Sequence, residues 1–473
     1  MKPRRIEDDS FTTPNIENLQ LTSRGRVYLN AYQVSVLFLL GLLAVPTASA
    51  FSGAAQTAQV PPEYQQLYST LKSSLDDFNA TLATMGPGTG SPIFGAELLP
   101  ANSNREDALL APNTMQAVIL YLDRLKELGI GGVTFPIGFP LYTPSFPDYS
   151  AYVQFYKQVV QEVRKRGMVE IESSILFANT AFSPITFDYS KLTPQQFEAE
   201  RKEMVSAFIQ DLQPDYLDLG AEPDTQYKLT GFTEFNSPNS YTTYVNHILE
   251  DLNRGHTKLG AGSGTWLSNT YVQSLGVNTS LDFISLHVYP VVGPTLQRLL
   301  TFSDIAKQYG KRVVLDEAWL YKVGTLQASS IVSNVDVFRN DAFSFWVPLD
   351  QEFLAVMVTA AKVEGIGYIS PFWSMQFFGY VDYTSSTAGL SYQDLATALG
   401  RVASQNILNN QFSPTGTFYG QLAGNGLTTT TAAATQPTAT TVSLTDKPSG
   451  LVLIAGLVAA IAIVAAVVLS RRR

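Results

Sequence analysis

Cysteine is absent from the 473-residue chain. That excludes disulfides, thiolate metal sites and a cysteine nucleophile together. A domain of this size builds its core without disulfides, so the absence leaves the compartment open. Charge is sparse as well: Asp, Glu, Lys and Arg make up 15% of the residues, with a formal net charge of -9. Binding a phosphate backbone needs clustered Lys and Arg, so nucleic acid is not an expected partner. Histidine is scarce, and His247, His256 and His287 form no ligand-spaced cluster, so neither a metal nor another cofactor is expected. No Gly-x-Gly-x-x-Gly follows the first predicted strand and no phosphate loop occurs, which weakens the case for a nucleotide-binding open sheet.

Apolar residues, by contrast, reach 45% and aromatic ones 11%. Residues 451–469 contain only Leu, Val, Ile, Ala and Gly, and Ser470 and Arg471-Arg472-Arg473 follow them. As a helix this run rises roughly 28 Å, close to the hydrocarbon thickness of a bilayer. Its terminal arginines suit the cytoplasmic side. A core helix rarely lacks any polar face, so a transmembrane helix is expected. A second apolar run, residues 34–45, precedes Ala48-Ser49-Ala50 and follows Lys2, Arg4, Arg5, Arg24 and Arg26. This pattern favours a cleaved signal peptide, with a retained anchor as the alternative.

Either outcome leaves the middle of the chain outside the cell membrane. Residues 427–445 are rich in Thr, Ala, Pro and Ser, a composition that cannot bury a core and suits an O-glycosylated stalk. Asn79-Ala80-Thr81 and Asn278-Thr279-Ser280 match the N-glycosylation acceptor pattern. The expected organisation is a basic tail with signal or anchor (1–50), a lead-in with a helix at 61–82 (51–90), one main domain (91–423), a stalk (424–448), and a membrane helix with a basic end (449–473).

Within the main domain one unit recurs: an amphipathic helix, a Gly or Pro break, then a short apolar strand. Helices are expected at 115–128, 152–165, 197–212 and 241–252. Strands are expected at 93–96, 132–135, 168–171, 216–219, 258–261, 281–286, 313–315 and 367–370. Strict alternation means a parallel sheet, and this number of repeats suits a closed (β/α)8 TIM barrel. Residues 323–354 are too long for a plain connection and read as an insertion above the barrel.

Chemistry in such barrels sits at the C-terminal ends of the strands. Strand four ends in Gly220-Ala221-Glu222-Pro223-Asp224, strand six in Leu286-His287-Val288-Tyr289-Pro290, and strand seven in Leu315-Asp316-Glu317-Ala318-Trp319. A carboxylate closing an apolar strand costs desolvation energy, tolerated mainly for a partner or a function. Two carboxylates across a cleft are what glycosidic-bond hydrolysis requires. Trp266, Trp319 and Trp373 fall at or just beyond strands five, seven and eight, where aromatic faces suit sugar C–H surfaces. Trp346 falls in the insertion, and the loop at 139–156 is rich in tyrosine. Glu97, Glu170 and Glu172 read as barrel-bottom or surface charge, and Asp224 as a neighbour that tunes Glu222. Strand alternation sends Asp316 and Glu317 to opposite faces, one of them pairing with Lys311 or Arg312.

Over residues 91–412 this arrangement resembles the clan of retaining glycoside hydrolases with an acid/base Glu on strand four and a nucleophile Glu on strand seven. Ala221-Glu222-Pro223 matches two residues of the clan's Asn-Glu-Pro, and His287-Val288-Tyr289 its His-x-Tyr. Trp373 in Pro371-Phe372-Trp373 matches its strand-eight Trp. The resemblance implies Glu222 as acid/base, Glu317 as an inward-facing nucleophile, and Tyr289 as the group that orients Glu317. It implies substrate contacts from His287 and Trp373, joined by Trp319 and Trp266. It further implies a β-linked oligosaccharide or polysaccharide substrate, no cofactor, and a carboxyl separation of about 5–5.5 Å. Ala221 departs from the pattern, since the clan's Asn contacts the substrate's 2-hydroxyl. A non-catalytic surface barrel, acting in glycan binding, adhesion or a surface layer, is the alternative.

Overall fold

The computed structural model describes residues 59–424 apart from 177, 181, 290–293 and 325–334. The expected signal segment, stalk and membrane helix lie outside the described residues. Among the described residues no helix is long and apolar enough to cross a membrane.

In chain order the main elements are α1 (Gln65–Thr84), β1 (Ile93–Glu97), α2 (Thr114–Glu127), β2 (Gly132–Pro136), α3 (Tyr149–Lys165), β3 (Val169–Ser173), α4 (Pro194–Asp211), β4 (Tyr216–Asp218), α5 (Pro223–Thr230), α6 (Pro238–Leu249), β5 (Lys258–Gly264), α7 (Thr270–Asn278), β6 (Phe283–Val288), α8 (Thr295–Gln308), β7 (Arg312–Ala318), α9 (Val347–Glu364), β8 (Tyr368–Pro371), α10 (Tyr392–Leu408) and α11 (Pro414–Leu422). The strands form a closed parallel barrel in the order β1 to β8. Local sequence supports the helices: Thr193 and Gln196 make a reciprocal capping box at the start of α4, and Pro194 takes its first turn.

The barrel interior has two layers. Ile171, Phe283, Val314 and Tyr368 fill the lower one, with Ile93 and Tyr216 against them. The Tyr368 ring occupies space left by Gly95 and Gly132, where a Cβ would come within 2.2 and 2.6 Å of it. Above lie polar side chains: Ser173, Asp218, Ser285, Asp316, His287 and Glu317, all buried. The period-two alternation of each strand sends the intervening Leu217, Ile284, Leu286, Val313 and Leu315 outward into the core beneath the helices.

α1 belongs to this body. Its buried Leu71, Leu75, Phe78 and Leu82 recur at helical spacing and form one apolar stripe. Tyr68 stacks on Trp346 with ring centroids 5.6 Å apart. At the other end of the chain, the Tyr419 hydroxyl in α11 donates to the Gly95 carbonyl of β1 at 3.0 Å. The expected insertion at 323–354 is shorter than its sequence suggests. After the 3-10 turns Val335–Ala342 and Ser344–Trp346, α9 begins at Val347, with Pro348 in its first turn.

Two groups of acids sit where the sequence did not put them. Glu170, second in β3, lies near the barrel bottom but is buried, and Glu172 is neither at the bottom nor on the surface. They point outward from β3 and are buried. Glu170 pairs with Arg164 at 2.5 Å. Both Glu172 oxygens lack a hydrogen-bond partner, and burial pushes this carboxyl well above its usual range. Glu97 closes β1 inside the barrel, accepts from Asn102 Nδ2 at 2.8 Å, and is pushed up to about 8 by burial.

Candidate active site

Glu222 lies four residues beyond the end of β4 and serves as the N-cap of α5, with Pro223 in the first helical turn. Gly220 makes the approach possible. Its φ of 137° is open to glycine alone among common residues, and a Cβ there would lie 2.8 Å from Gln226 Nε2. Thr225 Oγ1 donates to Glu222 Oε2 at 2.7 Å. The Glu222 side chain keeps 26% exposure, whereas Glu317 keeps 8%.

Glu317 reaches the interior through an irregularity in β7. Between β6 and β7 the register passes from Ser285 opposite Val314 to His287 opposite Glu317, so β7 carries one extra residue. This bulge turns Glu317 inward beside Asp316, which already shares the inward face of Val314. Simple alternation would have kept only one of them there, and neither pairs with Lys311 or Arg312. Asp316 accepts from Ser173 Oγ at 3.2 Å and from Ser285 Oγ. Tyr289 donates to Glu317 Oε2 at 3.1 Å.

His287 is the hub of the site. Its Nδ1 lies 2.9 Å from Glu222 Oε1 and 3.3 Å from Glu317 Oε2, and its Nε2 lies 3.5 Å from Asp316 Oδ1. With 2% exposure and both ring nitrogens facing carboxylates, it offers nothing to a substrate hydroxyl. The expected substrate contact is therefore replaced by contacts to the two glutamates. Asp218 reaches the same place from β4, buried, with Oδ2 unpartnered.

These placements set the charges. Burial works against a charged His287, but Glu317 and Asp316 outweigh it and hold the imidazole well above its ordinary 6.5. Burial also raises the carboxyls. Glu317 goes up to about 8, with Glu222 and Asp316 adding to the rise. On Glu222 the hydrogen bond and charge of His287 outweigh burial, and its carboxyl falls below 4.5.

One oxygen each from Glu222 and Glu317, with a His287 nitrogen, lie within 4.8 Å of one another, and the same holds for Asp218, His287 and Asp316. We read both groups as hydrogen-bonding. The 2.9 Å contact of Nδ1 with Glu222 is shorter than the edge of roughly 3.3 Å that bonds of about 2.0–2.1 Å give a tetrahedral metal site. Both oxygens of Asp316 already accept from serine hydroxyls.

An aromatic wall rises beside the carboxylates. Tyr321 stacks on Tyr289 at 4.3 Å, Phe338 packs between Tyr321 and Trp373, and Trp266 lies 6.3 Å from Tyr289. Trp266 and Trp373 are half-buried and keep part of their rings free. Trp266 Nε1 donates to Asp224 Oδ2 at 3.2 Å. Trp319 departs from expectation. It is fully buried against Phe353, with Lys322 Nζ 5.0 Å from its ring, and so presents no face for stacking. Trp346 is buried as well. Tyr321 and Asp218 were not singled out by sequence, and Glu97 and Asp316 were given no role in the site. For Asp218 a signal existed, since it shares an inward alternation with Tyr216, as Asp316 does with Val314; the bulge hid that Glu317 joins them.

No protein-family model matches the chain, and no curated protein matches it. Solved structures with similar barrels include a GH5_18 protein from Bifidobacterium longum subsp. longum, with 14% identity over 71% of this chain and 79% of that one, at a TM-score of 0.46. An exo-β-1,4-mannosidase from Opitutaceae bacterium strain TAV5 has 14% identity over 71% and 59%, at 0.42. A GH30 endoxylanase from Clostridium papyrosolvens has 14% identity over 67% and 73%, at 0.37. Likeness at this level carries no argument about what this chain acts on.

Proposed function

We propose that the chain is a glycoside hydrolase that cleaves β-linked oligosaccharides or polysaccharides with retention of configuration. The observation that carries this reading is the pair Glu222 and Glu317, facing each other with oxygens within 4.8 Å. So close an approach of their oxygens favours direct attack by one carboxylate, for which carboxyl groups stand about 5–5.5 Å apart, over the roughly 6.5–9.5 Å of inverting pairs. Glu317, fixed by Tyr289, attacks the anomeric carbon while Glu222 protonates the departing oxygen. Glu222 then takes a proton from water as water displaces Glu317. Glu222 is the more exposed of the two and sits on the rim, where a leaving group departs. Trp266 and Trp373 supply partly free aromatic faces for sugar rings.

The membrane helix expected at 451–469 and the stalk expected at 427–445 would hold the barrel outside the cell membrane. A glycan-binding barrel without turnover is the second reading. Ala221 favours it, because its buried methyl group supplies no hydrogen bond at the position where the clan's Asn reads the 2-hydroxyl.

The test is a panel of aryl β-glycosides and β-glycans assayed with the wild type and Glu317→Ala. Hydrolysis that disappears in the folded variant supports the enzyme. Undiminished hydrolysis by the variant sinks Glu317 as nucleophile, and binding without hydrolysis in the wild type selects the second reading.

A further inference from the structure

Beside Glu317, β7 brings a third carboxylate, the buried Asp316, into a site that needs only two. Its surroundings are specific. Ser173 and Ser285 each give it a hydroxyl hydrogen bond, one to each oxygen, so it is fixed beside the Nε2 edge of the His287 ring. Its side chain has no exposure, and its Oδ1 lies 3.5 Å from His287 Nε2, a charge contact to a ring nitrogen that makes no hydrogen bond. On the opposite edge of the same ring, Nδ1 faces Glu222 at 2.9 Å and Glu317 at 3.3 Å. Asp218 and Glu222 face this imidazole from the end of β4, Asp316 and Glu317 from β7, and Tyr289 from the end of β6; Glu97 stands beyond Glu317. Among the described residues none of these acids forms an ion pair with Lys or Arg, so the imidazole is the one cation they share.

We propose that Asp316 is a positioning residue that holds His287 from behind, so that its single Nδ1–H passes between Glu317 and Glu222 as the negative charge moves between them during turnover. The inference rests on the glycosidase reading above. In the first step a Glu317 oxygen bonds to the anomeric carbon, the glycosidic C–O bond breaks, and the Glu222 proton goes to the leaving oxygen. The negative charge is then on Glu222. In the second step water bonds to the anomeric carbon, its proton goes to Glu222, and the bond to Glu317 breaks to restore that carboxylate. No proton leaves His287 in either step. A donor within reach of both carboxylates stabilises whichever is charged, and one fixed from behind does so without reorganisation. The contacts of 2.9 and 3.3 Å place the donor nearer Glu222, the arrangement that suits Glu222 carrying the charge.

The experiment is a titration of the imidazole resonances in 15N-labelled full-length chain, paired with steady-state kinetics. With three histidines in the sequence, His287→Gln assigns the signal. His287 is expected to stay protonated well above the 6.5 of a free imidazole, held there by Glu317 and Asp316 against the effect of burial. Asp316→Asn is expected to move that titration down by at least about one pH unit and to lower kcat on the order of 100-fold, with KM nearly unchanged. Asp316→Glu, which keeps the charge, should recover part of kcat. An imidazole that turns neutral near pH 6.5 in an active wild type overturns the proposal alone. So does an Asp316→Asn variant that melts lower but leaves the His287 titration and kcat in place. A wild type that hydrolyses no glycoside overturns the glycosidase reading and the hand-over with it. Should Asp316→Asn not fold, the wild-type titration decides.

Discussion

Glu222 and Glu317 do their proposed work only while they hold one proton between them. With two protons there is no nucleophile, and with none there is no acid. The pair titrates as a unit, and its limits come from two physical causes. The hydrogen bond from His287 pulls Glu222 below 4.5, and burial pushes Glu317 up to about 8. The singly protonated window therefore runs from below 4.5 to about 8. Plotted against pH, kcat/KM is expected to hold across that window and to fall about tenfold per unit above it. An optimum confined to one unit around pH 4 would show that His287 does not separate the two carboxyls. In the resting geometry the proton sits on Glu317, so the productive distribution needs the His287 hydrogen bond to swing toward Glu317. Ala221 is the remaining oddity at this scale: buried and apolar, it leaves any 2-hydroxyl recognition to another side chain.

Among the elements, the segment after β7 holds a second cluster of buried charge, apart from that in the barrel interior. Lys322 is fully buried and pairs with Asp350 in α9 and with Asp341 at 3.2 Å. Tyr380 donates to Asp350 at 2.8 Å, and Asn340 Nδ2 to the Lys322 carbonyl at 3.1 Å. This cluster anchors the same segment that sets Phe338 against Tyr321 and Trp373. Lys322→Met leaves two acids buried without a cation, and is expected to destabilise the fold by about 3–5 kcal/mol. Urea unfolding measures it, and a variant within about 1 kcal/mol of wild type would mean that the cluster is neutral already. The alternation of helix, break and apolar run made all the strands readable, because each strand is short, apolar and preceded by a helix terminator. Three features escaped it. The β7 bulge adds one residue without any change of residue type, so strict alternation with Glu317 inside put Asp316 outside, whereas both face in. Trp319 looked like a mouth residue because position along a strand does not say whether later elements cover it, and α9 does. α9 itself begins at Val347 inside a stretch that reads as loop, since aromatic residues there serve α1 rather than a helix pattern.

Taken whole, the molecule stores an unusual number of raised carboxyls. Burial lifts Glu97, Glu170 and Glu317 from 4.5 to about 8, and Asp341 from 3.8 to about 7. Between those values the folded chain keeps protons that the unfolded chain has released, so raising the pH favours unfolding. His287 acts in the same direction: its folded value lies above 6.5, so its contribution is complete below 6.5 and is lost as pH rises through the folded value. The melting temperature is therefore expected to be highest near pH 5 and to decline toward about pH 8, as calorimetry across that range would record. A rise over the same interval would mean that these acids ionise normally in the fold. The body that melts spans α1 to α11, because Leu71, Leu75, Phe78 and Leu82 are buried on one side and Tyr419 is tied to β1 on the other. A chain beginning at Ser91 would expose that stripe.

The proposed chemistry of this barrel rests on Glu317 as a nucleophile close to Glu222, and one measurement reaches that claim directly. Proton NMR of the first product released from a β-glycoside that the chain cleaves reports the anomeric configuration before mutarotation. The account predicts the β anomer first; an α anomer first would contradict it.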